Sequence, residues 1–294
     1  MTHIPVLEKE VLKYLDPKPN ENFIDGTIGE GGHAIEILKR NGPNGLLLGI
    51  DLDYRQIDNS RSNTAQFFKR IIMVNDSYLG IKDIVTKENF HPVNGILLDL
   101  GMSSWQVEES NRGFTFKKNE FLDMRYNLQN VLTAEKIINE YPEQELIKIL
   151  KDYGQEHFAR QIAKRICKER KKRQIQSTFQ LKDIISLSVP PRFRHGAINY
   201  ATRTFQALRI AVNGELENIK KVLPVAFQSL TIGGRLVVIS FHSLEDRLVK
   251  NFFKEKEKEE LVKILTKKPV VASLKEVSKN PRSRSAKLRA IIKV

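Results

Sequence analysis

The chain has 294 residues, 40% of them hydrophobic and 29% charged, with a formal net charge of +14. These proportions belong to a folded globular chain and exclude wholesale disorder. A single cysteine excludes an internal disulfide framework and a cysteine-rich zinc site, and no apolar run nears the roughly 18 residues that cross a bilayer. The opening MTHIPVLEKEVLKYL is interrupted by Glu8, Lys9 and Glu10, which argues against a secretion signal. The chain therefore reads as intracellular, without a membrane. The basic excess fits a polyanionic partner or, equally, a lysine-rich solubilising surface.

The first hundred residues alternate apolar runs with helical patterns. NFIDGT, LLLGIDLD, RIIMVND and VNGILLDLG read as strands. HAIEILKRNG, the polar stretch after Asp53 and LGIKDIVTKEN read as the helices between them. Strands that are apolar throughout, separated by helices, predict a parallel sheet covered on both faces. Right-handed crossovers make it doubly wound.

After residue 105 the pattern breaks, and 109–132 has no clear period. From Thr133 to Val189 the spacing is helical throughout. Pro142 can open a helix, Gly154 can separate two, and Ser177 with Gln180 predicts a capping box. Pro190 and Pro191 end the run. An inserted all-helical domain is therefore expected over 109–202, between discontinuous halves at 1–108 and 203–294. Residues 109–202 carry 18 Lys/Arg against 11 Asp/Glu, and KRICKERKKR over 164–173 has seven basic residues in ten. A solvated helix face and a nucleic-acid surface both fit this charge. The sheet pattern then returns. Leu216, Ile219, Leu223, Ala226, Phe227 and Leu230 follow helical spacing, and Gly233-Gly234 ends that helix. RLVVISFH reads as a fifth strand, Ser243 with Asp246 as the next helix cap, and AKLRAIIKV as a final strand.

The first strand runs into DGTIGEGGH over 25–33. Glycines there let backbone approach a ligand closely. The next strand ends in Asp51, about 20 residues on, where a carboxylate can accept both hydroxyl hydrogens of a ribose. Strand, glycine loop, helix, strand and acid make a nucleoside-binding arrangement. The glycines run G-x-x-G-x-G-G rather than the dinucleotide G-x-G-x-x-G. An acid before them, Asp25, suits S-adenosylmethionine, which carries no phosphate. Asp51 is preferred over Asp53 because it lies nearer the apolar run. The fourth strand leads to Asp99, and Gln106 follows. Both belong at the carboxyl end of a parallel strand, where ligands gather.

Several blocks together resemble the ribosomal RNA small subunit methyltransferase H family. They are HIPVL (3–7), DGTIGEGGH, LLDLGMSSWQ (97–106), RGFTF (112–116), LDMR (122–125), RTFQALRI (203–210), SFHSLEDR (240–247) and NPRSRSAKLR (280–289). The resemblance runs nearly end to end. It implies a class I, Rossmann-like S-adenosylmethionine methyltransferase domain interrupted by a helical domain for RNA recognition. It also implies N4-methylation of a decoding-centre cytidine in 16S rRNA of the small ribosomal subunit, in the cytoplasm. Carried over residue by residue, the cofactor positions are Gly31, Gly32, His33, Asp51, Tyr78, Asp99 and Gln106. Tyr78 stands where such enzymes often have Phe, and Trp105 where the family often has Pro.

Cytosine N4 is a poor nucleophile, because its lone pair is delocalised into the ring. An acceptor for an N4 hydrogen would help, and Asp99 is the catalytic candidate. Many amino-methyltransferases place Asp/Asn-Pro-Pro-aromatic at this point. Asp-Leu-Gly-Met departs from that motif, so the usual assignment does not transfer. The target base must leave its stack. Trp105 could stack on it, as could Phe114 and Phe116, although core packing is the simpler role for each Phe. Arg112, Arg125, Arg203, Arg209, Arg282 and Arg284 are candidate phosphate contacts. Met102, Met124 and Cys167 read as packing residues. His242 and Glu245 lack a third ligand at convincing spacing, so no metal is expected. Two rivals stay open: a nucleotide-dependent oxidoreductase, and a non-catalytic ribosome assembly factor. Oligomeric state, a homodimer included, is left open.

Overall fold

The structure is a computed structural model that describes residues 4–194, 196 and 199–294. His3 of the HIPVL block lies outside them. The chain divides into two compact units, Met1–Gly101 with Leu216–Val294, and Met102–Glu215.

The first unit opens with α1 (Glu8–Leu15), then alternates β1 (Phe23–Asp25), α2 (Gly32–Arg40), β2 (Leu47–Asp51), α3 (Tyr54–Asn63), β3 (Ile71–Asn75), α4 (Ile81–Lys87) and β4 (Gly95–Asp99). Each strand lies inside the apolar run that predicts it. β2 ends at Asp51, and Asp53 is the N-cap of α3, where its carboxylate accepts the Arg55 N–H at 3.1 Å. That separates the two acids: Asp51 finishes a strand and Asp53 starts a helix.

The second unit contains α5 (Ser104–Glu108), α6 (Ala134–Glu140), α7 (Glu143–Asp152), α8 (Ala159–Arg170), α9 (Thr178–Ser188) and α10 (Thr202–Asn213). Pro142 precedes α7, and Ser177 and Gln180 form the predicted capping box of α9. Leu146, Ile162, Ile166, Leu181 and Leu208 meet in its core with Phe114 and Met124, while Met102, Phe116 and Cys167 pack at its edge. Phe114 stacks on Tyr126 with ring centroids 5.4 Å apart, and Phe116 meets Phe205 edge-on at 5.2 Å. The helical unit begins before residue 109 and ends after 202. The reason is visible at α10, whose Phe205, Ala207 and Leu208 are buried in the helical core.

The first unit resumes along α11 (Glu215–Ser229), followed by β5 (Arg235–Ser240), α12 (Ser243–Lys258), β6 (Val262–Ile264), β7 (Val270–Val271), α13 (Leu274–Lys279) and β8 (Lys287–Lys293). Among the described residues one sheet forms in the order β3-β2-β1-β4-β5-β8-β6, with β7 also on β8. β1 to β5 are parallel, whereas β8 runs antiparallel to β5, β6 and β7. The strand order reverses between β1 and β4, the point at which doubly wound sheets open a crevice. Both faces are buried. Ile24, Leu48, Ile96, Leu98 and Val238 face one core with Ile219, Leu223 and Phe227 of α11. Phe23, Leu47, Leu97, Val237 and Leu288 face the other with α1 and α2. Alternate side chains thus serve opposite cores, so the strands are apolar without interruption.

The cap of α12 differs from expectation. His242 is the N-cap, and it closes a capping box with Glu245. Asp246 is not free for that role, because Arg289 of β8 holds its two oxygens at 2.6 and 3.2 Å.

Leu97 is fully buried in the middle of β4. Leu97→Ala is expected to destabilise the chain by about 2–5 kcal/mol, read as a lower denaturant midpoint at unchanged slope.

Candidate cofactor site

Three strands end in acids at one edge of the sheet. Asp25 closes β1, Asp51 closes β2 and Asp99 closes β4. β1 lies between the other two; Asp25 is level with Gly49 and Leu97, so Asp51 and Asp99 stand two residues further along the strands on either side. Burial pushes Asp25 up to about 7, and the charge of Asp51 adds to it. Burial also pushes Asp99 up to about 7, with Asp25 and Glu245 adding. Asp51 rises to about 6, mainly by burial, with backbone N–H groups opposing the shift. Acids at the edge of ionisation in a low-dielectric setting favour a cation.

The loop after β1 is fastened to these acids. Asp51 accepts the Gly29 N–H at 3.0 Å through one oxygen and the Asp53 N–H at 2.9 Å through the other. A carboxylate has about four lone-pair sites, so two remain for ligand hydroxyls. The Thr27 N–H donates to Asp25 at 3.2 Å, while the Thr27 hydroxyl accepts the Asp99 N–H at 2.7 Å and bonds onward to Asp25. Gly31 caps α2 with φ +84°, and a methyl there would stand 2.8 Å from Ser60 Oγ. Only glycine combines that torsion with so close an approach of α3. Gly32 begins α2, so its amide belongs to the first turn of that helix, where N–H groups lack helical partners.

His33 is buried in that first turn, with Nε2 3.9 Å from Asp99 Oδ2, beyond hydrogen-bond distance. Asp99 Oδ1 is itself buried and accepts no hydrogen bond from a described residue. The Asp99 side chain keeps 22% of its surface. Such an acceptor awaits a ligand donor. Tyr78 opens the short turn Tyr78–Gly80 after β3, and its Cβ lies 3.6 Å from where a methyl on Gly26 would sit. The sheet thus gathers Asp25, the 29–33 loop, Asp51, Tyr78 and Asp99 along one edge.

This chain matches the model of the MraW methylase family over residues 1–294. It belongs to that family. It is 44% identical to the ribosomal RNA small subunit methyltransferase H of Heliobacterium modesticaldum, over 99% of this chain and 98% of that one. Identity is 45% to the enzyme of that name from a Sulfurihydrogenibium species, covering 98% and 97%. It is 44% to that of Thermotoga neapolitana, covering 98% and 95%. The resemblance read from the sequence blocks is borne out over the full length of the chain.

Family membership leaves each remaining candidate to be judged by its surroundings. Gln106 lies in the helical unit, where its side chain accepts the Ser103 N–H at 3.1 Å in a capping box. Trp105 is half-buried beneath the Arg112 guanidinium, 5.3 Å from its ring centre. Three of the arginines expected at phosphates are turned inward instead. Arg112 is buried and donates to the Arg125 and Tyr126 carbonyls. Arg125 grips Asp123 with two bonds of 2.8 Å, and Arg209 grips Glu215 at 2.8 and 2.9 Å. Such bidentate pairs are scaffold, and they compensate charges that burial would otherwise penalise. Arg203 is half-buried and donates to the Gln155 carbonyl at 3.4 Å. Arg282 and Arg284 lie on the turn Pro281–Ser285 of the first unit, with Arg284 exposed.

One contributor escaped the sequence reading, and a second was weighed there only as a metal ligand. Thr27 ties Asp25 to Asp99, and its only signal was its place in DGT. Glu245 accepts the N–H groups of Phe241 at 2.7 Å and His242 at 3.2 Å, and its charge bears on Asp99. The sequence offered Asp246 as the cap, so neither the capping nor the electrostatic role of Glu245 was read from it. No helix among the described residues is long and apolar enough to cross a membrane.

A raised carboxyl pKa lowers stability as pH climbs from the unfolded value near 4 through the folded value. Asp99→Asn removes that penalty. At pH 8 the substitution is expected to stabilise the ligand-free protein by about 2 kcal/mol, roughly 5 °C in Tm, with the gain shrinking toward pH 5.

Proposed function

We propose that this chain is an S-adenosylmethionine-dependent methylase acting on N4 of a decoding-centre cytidine in 16S rRNA of the small subunit, in the cytoplasm. The observation that carries the reading is the row of acids closing β1, β2 and β4 beside the glycine loop, Asp25 buried and Asp51 and Asp99 half-buried. That edge suits a nucleoside bearing positive charge. It suits a dinucleotide poorly, because paired phosphates would meet three carboxylates. An oxidoreductase is disfavoured on that ground. The relatives named for the ribosomal small subunit support the substrate class.

S-adenosylmethionine supplies, when bound, a methyl group already activated on a sulfonium. The work left to the protein is binding and alignment. Asp51 accepts the ribose hydroxyls on its two remaining lone-pair sites. Tyr78 would lie against the adenine. Asp25 and Asp99 stabilise the cationic end. The Gly31–His33 segment would hold the methionine part. Asp99, whose side chain keeps part of its surface, accepts a hydrogen bond from the target amine. The nitrogen then pyramidalises, and the positive charge that develops on it is offset. The helical unit recognises RNA.

The decisive experiment incubates the protein with labelled S-adenosylmethionine and small subunits lacking the modification, then analyses nucleosides by mass. Label in N4-methylcytidine is the expected result. Label in another nucleoside would keep the methylase and overturn the target. Cofactor binding without transfer would favour the assembly-factor reading.

Two substitutions separate binding from turnover. Asp51→Ala is expected to weaken cofactor binding by roughly 100-fold or more, since each of the two ribose hydroxyl bonds to a charged acceptor contributes about 1.5–3 kcal/mol. Asp99→Ala is expected to lower turnover at saturating cofactor by about 100-fold as well. Turnover that survives at saturation would leave Asp99 a cofactor ligand only.

A further inference from the structure

With Arg112, Arg125 and Arg209 turned inward, the helical unit must meet RNA elsewhere. One surface combines the two features such contact needs. Phe121 is 75% exposed and Phe179 is 41% exposed. Phe121 forms a backbone bridge with Ser177, two residues before Phe179. The bridge is rigidly made. The Leu122 N–H donates to the Gln176 carbonyl at 3.0 Å, and the Thr178 N–H donates to the Glu120 carbonyl at 2.9 Å. The buried Thr178 hydroxyl accepts the Glu120 N–H at 3.1 Å and donates to the Lys118 carbonyl at 2.6 Å. Phe121 is thus fixed by its backbone while its ring faces water. Folding gains nothing from that arrangement.

Exposed cations lie along the two segments that lead into the bridge. Lys117 is exposed just before the bridge, and Lys171, Lys172 and Arg173 are exposed on the loop that leads into it. Lys172 pairs with Glu169 at 2.9 Å, but Lys117, Lys171 and Arg173 make no ion pair with a described residue. Lys182 lies 5.7 Å from the centre of the Phe179 ring. Upstream, Arg160, Lys164 and Lys168 are exposed at four-residue spacing along α8. The first turn of α8 holds no acid, so Arg160 sits against the helix dipole. Like charges at that spacing repel. A surface needed only for solubility would mix in acids at no cost.

We propose that this face, from Lys117 to Phe121 and from Lys171 to Phe179, is a docking platform for an unpaired segment of rRNA. Phe121 and Phe179 stack on bases, and Lys117, Lys171 and Arg173 neutralise phosphates. An unpaired segment is required because a duplex hides the faces of its bases. The proposal rests on the rRNA reading and names the surface that serves it.

The test uses the full chain, unmodified small subunits and two variants, Phe121→Ala/Phe179→Ala and Lys117→Gln/Lys171→Gln/Arg173→Gln. All five positions are exposed, and thermal melts check that both variants fold. The double phenylalanine variant is expected to bind subunits roughly ten- to a hundred-fold more weakly with an unchanged salt slope. Its KM for subunits rises while kcat and cofactor affinity hold. The triple variant is expected to weaken binding and to flatten the slope of log K against log salt by about 2, at roughly 0.7 per phosphate. Binding within twofold of the parent for both variants, with the parent active, would overturn the platform and leave the methylase reading intact. A change in oligomeric state on removing the rings would overturn it in favour of a protein interface. A parent chain that neither binds nor methylates subunits would overturn both readings.

Discussion

Gathering three carboxylates at one edge of the sheet, Asp25 buried and Asp51 and Asp99 half-buried, is the constraint on which the site depends. Parallel strands must end together at one edge of the sheet, and β1, β2 and β4 each end in Asp there. In water such acids would ionise freely. Here burial holds Asp25 and Asp99 up to about 7. The cost is kept tolerable by backbone N–H donors on Asp51 and by the Thr27 N–H and hydroxyl on Asp25. The glycine loop follows from the same constraint. Its Gly29 N–H is one of those donors, and Gly31 lets the chain turn into α2 against Ser60. A cationic ligand completes the arrangement by offsetting charge that the protein compensates only in part.

The second unit answers to a different balance. Its arginines are largely spent on its own architecture. Arg209 with Glu215, Arg125 with Asp123 and Arg112 over Trp105 brace a region of little regular structure between α5 and α6. The lysines of α8 and of the loop after it are left outside. That division is chemically sensible. A guanidinium offers a planar fork that locks onto a carboxylate or several carbonyls, whereas an ammonium is strongly hydrated and remains a surface charge. The charge excess of the helical stretch therefore overstates its structural role if counted by residue, and understates how strongly its exposed face is polarised.

The sheet was legible because its strands are buried on both faces. An apolar run ended by Asp or Gly needs no further context, and all five parallel strands fall where those runs predict. The capping box at Ser177 and the helix opening at Pro142 were equally local. What escaped depended on distant partners. α10 has a helical pattern, but nothing in it says which core it joins. Asp246 and Glu245 both suit a cap, and only Arg289, 43 residues away, decides between them. β6 and β7 are too short to show a period. The motif arginines looked alike in sequence because a guanidinium committed to an inner carboxylate has the same spelling as one awaiting a phosphate. In the site, the glycine loop, Asp51 and Asp99 were readable from strand ends, whereas the hydroxyl link through Thr27 needed the fold.

The central claim is that the acid edge selects a positively charged donor. It is tested most directly by calorimetric titration of S-adenosylmethionine and of S-adenosylhomocysteine between pH 6 and pH 8, in buffers of different ionisation enthalpy. The product lacks the sulfonium charge. Ionised Asp25 and Asp99 favour a cation, so affinity for the donor should rise with pH through about 7 and binding should release protons. The product should show a smaller rise and a smaller release. Equal pH dependence for the two ligands, or no proton release on binding the donor, would contradict the account.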